Sequence, residues 1–169
     1  MENKSAPGYK GAVACNAVGI SYRQLDYWAR TGLVAPSIRQ ATGSGTVRLY
    51  SFQDVLELKI VKRLLDTGVS LQNIRAAIEH LREQGIDDIS AVTLMSDGAS
   101  IYECRTDDEV IDILRGGQAV FGIAIGVVST EIAGTLASLP SEDFESDLNQ
   151  IEGSDELSVR RAARKSAAS

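Results

Sequence analysis

One stretch decides the fold of the N-terminal half: it reads Val18-Gly-Ile-Ser-Tyr-Arg-Gln-Leu-Asp-Tyr-Trp-Ala-Arg-Thr-Gly-Leu-Val34. Ser21 and Gln24 have the three-residue spacing of a capping box, which predicts a helix that starts near Tyr22. Gly32 can end that helix, because glycine commonly follows the last helical turn. The stretch therefore predicts one short helix held between two glycine turns.

The segments on either side of this helix extend the pattern. Apolar residues 12–18, followed by Gly19, predict a shorter helix before it. After it, residues 37–50 predict a β-hairpin with a mobile tip, and its two flanks carry Arg39 and Arg48. Two further helices are predicted from N-cap serines and helically spaced apolar residues; the serines are Ser51 and Ser70. This order of elements is that of a winged helix-turn-helix domain.

The net charge of −6 is unevenly distributed along the chain. Residues 1–85 hold 11 Lys and Arg against 7 Asp and Glu, a net charge of +4. Residues 86–150 hold 2 against 13, a net charge of −11, and residues 151–169 hold 4 against 3, a net charge of +1. An acidic total can conceal a basic unit, so it does not exclude a nucleic-acid partner for the first half.

The periodicity changes from helical to alternating in the second half. Residues 92–104 predict two strands around a two-residue turn at Asp97-Gly98, and Thr106 predicts the cap of a short helix. Apolar residues alternate with glycine and alanine over residues 120–128, which favours a strand over a helix. A last helix is then expected from about Ser129 to Leu139, before Pro140.

The predicted fold class is α+β, a winged helix-turn-helix domain followed by a small α+β domain (hairpin, helix, strand, helix) and a disordered tail. The tail is assigned because its residues are mostly polar, carry both signs of charge and include few aromatic side chains. The predicted division is a flexible lead-in at 1–10, the winged domain at 11–85, the acidic α+β domain at 86–140 and the tail at 141–169.

Several motifs occur together in the order and spacing of a known family. They are the stretch 18–34, then Pro36, Val47-Arg-Leu-Tyr-Ser51, Asp54-Val55, and Gly68-Val-Ser-Leu71 with Ile74. Over residues 11–82 the chain resembles the DNA-binding domain of the MerR family of bacterial transcription regulators. The resemblance implies a regulator that binds inverted repeats in double-stranded promoter DNA as a homodimer. It further implies activation by distorting promoter DNA, which is a form of indirect readout.

Two features depart from the family pattern. Many members have an arginine immediately before the aromatic pair that here is Tyr27-Trp28, whereas this chain has Asp26, which removes one expected phosphate contact. The wing tip at residues 41–46 is also longer than usual. Both features, and the acidic second half, are similar to an actinobacterial subgroup of the family that includes a cell-division gene regulator.

The predicted recognition helix supplies most of the candidate site. Tyr22, Arg23 and Gln24 lie in its first turn, where free N–H groups and a partial positive charge favour phosphate. Arg23 can bind guanine O6 and N7, and Gln24 can pair with adenine unless the capping box uses its side chain. Tyr27 and Arg30 lie farther along the helix and are predicted to contact backbone phosphates.

The wing supplies the remaining candidates. The resemblance implies that Arg39 and Arg48 contact phosphate or the minor groove, and the small residues of the tip would let the backbone approach DNA closely. The alternative for any single exposed arginine is plain solvation. The full set of predicted DNA-binding residues is Ser21, Tyr22, Arg23, Gln24, Tyr27, Arg30, Arg39, Thr42, Ser44 and Arg48.

Composition disfavours several other classes of function. Cys15 and Cys104 are far apart in sequence and His80 is the only histidine, which argues against a Cys/His zinc site and against Cys/His or Ser/His catalysis. We therefore expect no cofactor and no enzyme activity, with both cysteines packed and His80 on the surface. The longest uncharged run, residues 116–130, is shorter than a membrane span of roughly 20 residues. The N-terminus lacks the apolar core of a signal peptide, so no membrane contact and a cytoplasmic location are expected.

The second half allows several interpretations. Its glycine-containing strand could admit a helix, a second subunit or a ligand; dimerisation is favoured because two-fold DNA sites need two recognition helices roughly 34 Å apart. The acidic residues at 107–112 either cap a helix and keep this half away from DNA, or dock a basic partner such as RNA polymerase. The alternative functions are an architectural or excisionase-like DNA-bending protein and a small-ligand-gated regulator.

Overall fold

The computed structural model describes residues 7–40, 47–117 and 121–141, except for the side chains of Ile86 and Asp87. It has mixed helices and strands, so the predicted α+β class is confirmed. In chain order the elements are β1 (Tyr9–Lys10), α1 (Gly11–Val18), α2 (Tyr22–Arg30), β2 (Leu49–Tyr50), α3 (Phe52–Asp66), α4 (Leu71–Arg82), α5 (Ile86–Ile89), β3 (Thr93–Ser96), β4 (Ile101–Cys104), α6 (Asp107–Arg115), β5 (Phe121–Ala124) and α7 (Ile125–Ala137).

The helices of the first half begin and end close to the predicted residues. Helix α1 ends at Gly19, which adopts a left-handed φ of 80° and donates its N–H to the Cys15 carbonyl at 2.8 Å. The capping box predicted for α2 is present, and α3 has a second one between Ser51 and Asp54. The Ser70 side chain caps α4. These helix boundaries were predictable because caps and glycine stops are local signals.

The structure corrects the assignment of Tyr9 and Lys10 to a flexible lead-in. Tyr9 pairs with Tyr50 and Lys10 with Leu49 in an antiparallel ladder, and Tyr9 is buried. On its other side Leu49 forms a single β-bridge with Arg39, and this bridge lies at the base of the predicted hairpin. Strand β2 thus lies between two partners, and the wing tip at 41–46 falls outside the described residues.

The second half contains a three-stranded antiparallel sheet in the order β4-β3-β5. The last pair in the hairpin is Ser96 with Ile101, so the loop has four residues, 97–100, rather than the predicted two. The Asp97 carboxylate accepts from the N–H groups of Ala99 at 2.8 Å and Ser100 at 2.6 Å. This local pairing of side chain with backbone stabilises the wider loop.

The strand predicted over residues 120–128 is shorter than expected. Strand β5 ends at Ala124, and α7 begins at Ile125 rather than near Ser129. The Ile125 N–H donates to the Val92 carbonyl at 3.0 Å, which connects the start of the helix to the segment before β3. Alternation in the sequence was misleading because the buried side chains of α7 recur at helical spacing: Ile125, Val128, Ile132 and Leu136.

The two halves share one hydrophobic core. Helix α7 packs against α3 and α1, and its buried residues belong to the same apolar cluster as those of α1 to α4. At the rim of this contact, Arg63 on α3 forms an ion pair with Glu131 on α7 at 2.7 Å. The boundary predicted at residue 85 therefore divides a basic segment from an acidic one, but both segments contribute to the same hydrophobic core.

Two further expectations concern the ends and the membrane. The predicted tail at 141–169 lies, apart from Ser141, outside the described residues. Among the helices described, none combines the length and apolarity that a membrane crossing requires.

Candidate DNA interface

The first turn of α2 is fixed by reciprocal hydrogen bonds. The Ser21 hydroxyl accepts from the Gln24 N–H at 3.1 Å, and the Gln24 side-chain carbonyl accepts from the Ser21 N–H at 3.1 Å. Pairing with adenine would require both the carbonyl and the amide of Gln24. Base reading by this residue stays a prediction, and it would require the capping box to open.

The outer face of α2 exposes large side chains. Tyr22 is 60% exposed and Tyr27 50%, and Arg23 is exposed between them. The opposite face is buried by Leu25 and Trp28, as predicted from their spacing. Because large aromatic side chains are seldom exposed in such a row, this surface is a candidate for contact with another molecule.

The base of the wing is taken as residues 37–40 and 47–49, and it contacts this helix through Arg48. Arg39 is held at the bridge to Leu49, and its Nε donates to the Val47 carbonyl at 2.8 Å. The other two wing candidates, Thr42 and Ser44, lie outside the described residues. The part of the wing that can be described therefore contributes two arginines, Arg39 and Arg48.

Arg48, which is predicted to contact phosphate or the minor groove, is paired with a residue of α2. Its side chain is only 16% exposed, and its Nη2 lies 2.8 Å from Oδ1 of Asp26. The same carboxylate binds Arg30 through Oδ2, at 2.9 Å from Nε. The hydrogen bond from Arg48, assisted by the charge of Arg30, lowers the pKa of Asp26. Asp26 therefore connects α2 to the base of the wing.

Sequence reasoning treated Asp26 only as a lost phosphate contact. Its pairing with Arg30 could have been found from the four-residue spacing on one helix. Its pairing with Arg48 could not, because 22 residues separate them.

A second set of contacts supports the interface from behind. The Asp54 carboxylate accepts from the Ser37 N–H and hydroxyl, both at 2.7 Å, and from the Ser51 N–H at 2.9 Å. One buried side chain thus joins the start of the wing to the start of α3. Sequence analysis identified Asp54 only as the acidic member of a helix cap.

Two arginines of α4 hold the segment that follows α2. Arg75 donates to the Thr31 carbonyl at 2.9 Å, and Arg82 donates to the Leu33 carbonyl at 2.6 Å. Arg82 also pairs with Glu57 at 3.0 Å. Burial raises the pKa of Glu57, and the charge of Arg82 opposes that effect. These contacts tie the segment after α2 to α4 and, through Glu57, to α3.

The residues considered for other chemistry lie away from this face. Cys104 is buried and Cys15 partly buried, and burial raises the pKa of both thiols. Thiols with raised pKa are poor nucleophiles and poor metal ligands. His80 is 61% exposed, and its Nε2 lies 2.8 Å from Oε2 of Glu103. These positions agree with the packing and surface roles predicted for them.

The helix pair α1–α2, the bridge at the base of the wing and the exposed face of α2 together define a winged helix-turn-helix unit. The sequence profile described as MerR HTH family regulatory protein matches residues 9–81. An uncharacterised HTH-type transcriptional regulator of Mycobacterium tuberculosis is 55% identical over 157 residues, which cover 93% of this chain and 70% of that protein. The chain belongs to the MerR family of helix-turn-helix transcriptional regulators.

More distant relatives match about half of this chain. The HTH-type transcriptional regulator HmrR of Sinorhizobium medicae is 30% identical over 83 residues, which cover 48% of this chain and 54% of that protein. A remote structural neighbour is HiNmlR, a MerR family regulator that lacks the sensor domain, in a crystal structure bound to promoter DNA. It has a TM-score of 0.37 and 17% identity, and the match covers 92% of this chain and 94% of that chain.

These comparisons confirm the predicted family and the prediction that the chain is a transcriptional regulator rather than an enzyme. Assignment to the subgroup that includes a cell-division gene regulator stays a prediction.

Proposed function

We propose that the protein is a homodimer that binds inverted repeats in promoter DNA, with α2 in the major groove and the wing against the backbone. The observation that carries the proposal is the exposed row of Tyr22, Arg23 and Tyr27 on α2, beside the arginines at the base of the wing. Basic and aromatic side chains on one helix face suit a polyanionic duplex.

The geometry supports different roles along this surface. Arg23 is exposed in the first turn, and we assign it the reading of bases, because the capping box already uses the Gln24 carbonyl. Tyr22, Tyr27 and Arg30 are assigned to backbone phosphates, which fix the register of the helix without reading sequence.

The wing and the cap complete the proposed site. Ser21 fixes the start of the helix. Arg39, with the tip residues Thr42 and Ser44, is assigned to the adjacent backbone or minor groove. Arg48 is assigned a contribution that Asp26 limits, because the two side chains are paired.

We assign dimerisation to the second half, residues 86–140. Helix α6 exposes 42% of Ile111 and 53% of Leu114. Asp107 and Arg115 lie one on each side of Ile111, four residues away in each direction. Antiparallel pairing of two α6 helices about a two-fold axis would therefore set Asp107 against the partner's Arg115. Such self-complementary charge around an apolar centre favours a second copy of this chain as the occupant.

The acidic first turn of α6 has a local use. The Thr106 hydroxyl accepts from the Glu109 N–H at 3.2 Å, and the Glu109 carboxylate accepts from the Arg105 N–H at 2.6 Å. These contacts support the interpretation that the acidic residues cap the helix, where they also complement its dipole, and keep this half away from DNA. RNA polymerase is the alternative partner for the same surface.

A second candidate function is regulation by a small ligand. A cavity of about 340 Å³ lies between α4 and the β3–β4 hairpin, with Asn73, His80 and Glu103 among its polar lining residues. Because α4 belongs to the basic half and the hairpin to the acidic half, a ligand there would contact both. Such a regulator would bind the same DNA, so its ligand dependence is what separates it from the first proposal.

Genome-wide mapping of bound sites, with footprinting and measurement of the mass of the protein–DNA complex, tests the proposed function. We expect inverted repeats within promoters, protection of both half-sites and two chains per site. Scattered sites without symmetry would contradict the proposal and favour an architectural DNA-bending protein.

A further inference from the structure

A carboxylate occupies the centre of the surface that is proposed to face DNA. Asp26 lies four residues after Tyr22 and four before Arg30, so the three side chains lie along one face of α2. Like charges repel, and a carboxylate there opposes the approach of phosphates. Its position therefore calls for a functional explanation.

Both oxygens of this carboxylate are occupied by arginines from different elements. Oδ1 accepts from Arg48 at the base of the wing at 2.8 Å, and Oδ2 lies 2.9 Å from Nε of Arg30 on the same helix. The Asp26 side chain is 34% exposed and that of Arg30 is 68% exposed. One negative charge thus compensates part of the positive charge of two predicted phosphate contacts, and it does so at the protein surface.

We propose that Asp26 is a specificity-determining residue that holds Arg30 and Arg48 in competition with DNA phosphates and so weakens binding to random sequence. The inference rests on the proposed docking of α2 on DNA. A phosphate that approaches these arginines replaces a carboxylate of like charge, so the net gain is small. Random-sequence binding depends almost wholly on phosphate contacts. The proposed contact of Arg23 with a base does not involve Asp26. Asp26 therefore lowers the affinity for a specific site less than it lowers the affinity for random sequence.

The test compares Asp26→Asn with the parent protein on two duplexes. One is a sequence selected by the parent from a random pool, and the other is an unselected duplex of the same length. Asparagine keeps the shape and one acceptor oxygen while removing the charge. Affinity for the unselected duplex should rise by about 1.5- to 5-fold per subunit, as expected when an exposed ion pair no longer competes. The ratio of unselected to selected Kd should fall.

Salt dependence gives a second readout. The slope of log K against log salt should steepen by about 0.9 for each arginine released per subunit. Asp66→Asn is the matched control, because Asp66 pairs with Lys62 at 2.8 Å with the same four-residue spacing, but on α3. It should leave both the Kd ratio and the slope close to those of the parent.

Arg30→Gln is the second variant; it is measured in the parent background, which tests the proposal even if Asp26→Asn folds poorly, and also in the Asp26→Asn background if that variant folds. In the parent background this change should alter the slope of log K against log salt by much less than about 0.9, because Asp26 already compensates the charge of Arg30. In the Asp26→Asn background the same change should reduce the slope by about 0.9, the value for one full phosphate contact. A full loss in the parent background would overturn the proposal. The proposal would also be overturned if Asp26→Asn lowered the affinity for both duplexes equally and left the salt slope unchanged. That result would mean that Asp26 only holds the wing in place. If the parent selects no sequence and shows no salt-dependent binding, the proposed docking itself fails.

Discussion

Gly126, the second residue of α7, tests how closely the start of this helix packs against the segment before β3. A Cβ built at this position would lie 2.6 Å from the carbonyl oxygen of Ser90. Carbon and carbonyl oxygen normally approach no closer than about 3.3 Å. The overlap of roughly 0.7 Å is with backbone, which side-chain rotation cannot relieve. We therefore expect Gly126→Ala to force α7 away from the segment before β3.

The magnitude follows from two opposing effects. Replacing glycine with alanine inside a helix stabilises by about 0.8–1.0 kcal/mol, and less in the first turn. Overpacking against a fixed neighbour costs about 1–3 kcal/mol. The net expectation is that Gly126→Ala lowers the free energy of unfolding by about 1–2 kcal/mol.

Gly134 provides a matched control on the same helix. A Cβ there meets nothing within 4 Å, and its φ is not in the left-handed region. Gly134→Ala should therefore raise the free energy of unfolding by about 0.5–1 kcal/mol through helix propensity alone.

Urea unfolding followed by circular dichroism measures both variants. With a slope of about 1–3 kcal/mol per molar urea, the two midpoints should lie on opposite sides of that of the parent and differ by about 1 M. If Gly126→Ala unfolds at or above the parent midpoint, the close approach of α7 to Ser90 is wrong.

Three further predictions concern the site and its support. Arg23→Ala should relax the base preference at one position and cost about 1–3 kcal/mol of binding free energy on the selected sequence, whereas Arg39→Ala should weaken binding to all sequences alike. Selection from random pools with each variant checks this, and equal losses of affinity in the two variants would contradict the assigned roles. Leu114→Asp should shift the protein towards monomer in sedimentation and lower affinity for an inverted repeat more than for a single half-site, and an unchanged dimer would exclude α6 as the interface. Tyr50→Phe should raise the free energy of unfolding by up to about 1 kcal/mol, because the Tyr50 hydroxyl is buried without a hydrogen-bond partner among the described residues; thermal unfolding would show a loss of stability if that hydroxyl were satisfied.

Local signals were enough to predict most of the winged unit. The pairs Ser21–Gln24 and Ser51–Asp54 form capping boxes at the helix starts that their spacing predicts. The Thr106 side chain likewise caps α6. Each of these signals depends on residues three positions apart, so tertiary structure does not have to be known.

Predictions that depended on distant residues were less successful. Alternating apolar residues over 120–128 fit a strand. Which of these side chains are buried depends, however, on the packing of α7 against α3 and α1, and the local sequence does not contain that information. Periodicity over so short a run does not separate the two structures. Pairing of Asp26 with Arg48 depends in the same way on how the wing folds back on α2.

The two halves differ in charge but share one hydrophobic core, and this combination affects how the regulator would read DNA. Charge separates a basic half, residues 1–85, from an acidic half, residues 86–150. The apolar cluster nevertheless runs from α1 through α3 to α7, so the acidic half is held in a defined position against the recognition unit. If two copies associate through α6, that attachment fixes the distance between the two α2 helices. Half-site spacing is then set by the packing of α7 on α3 and α1, because a dimer reads half-sites only at the separation its own geometry allows.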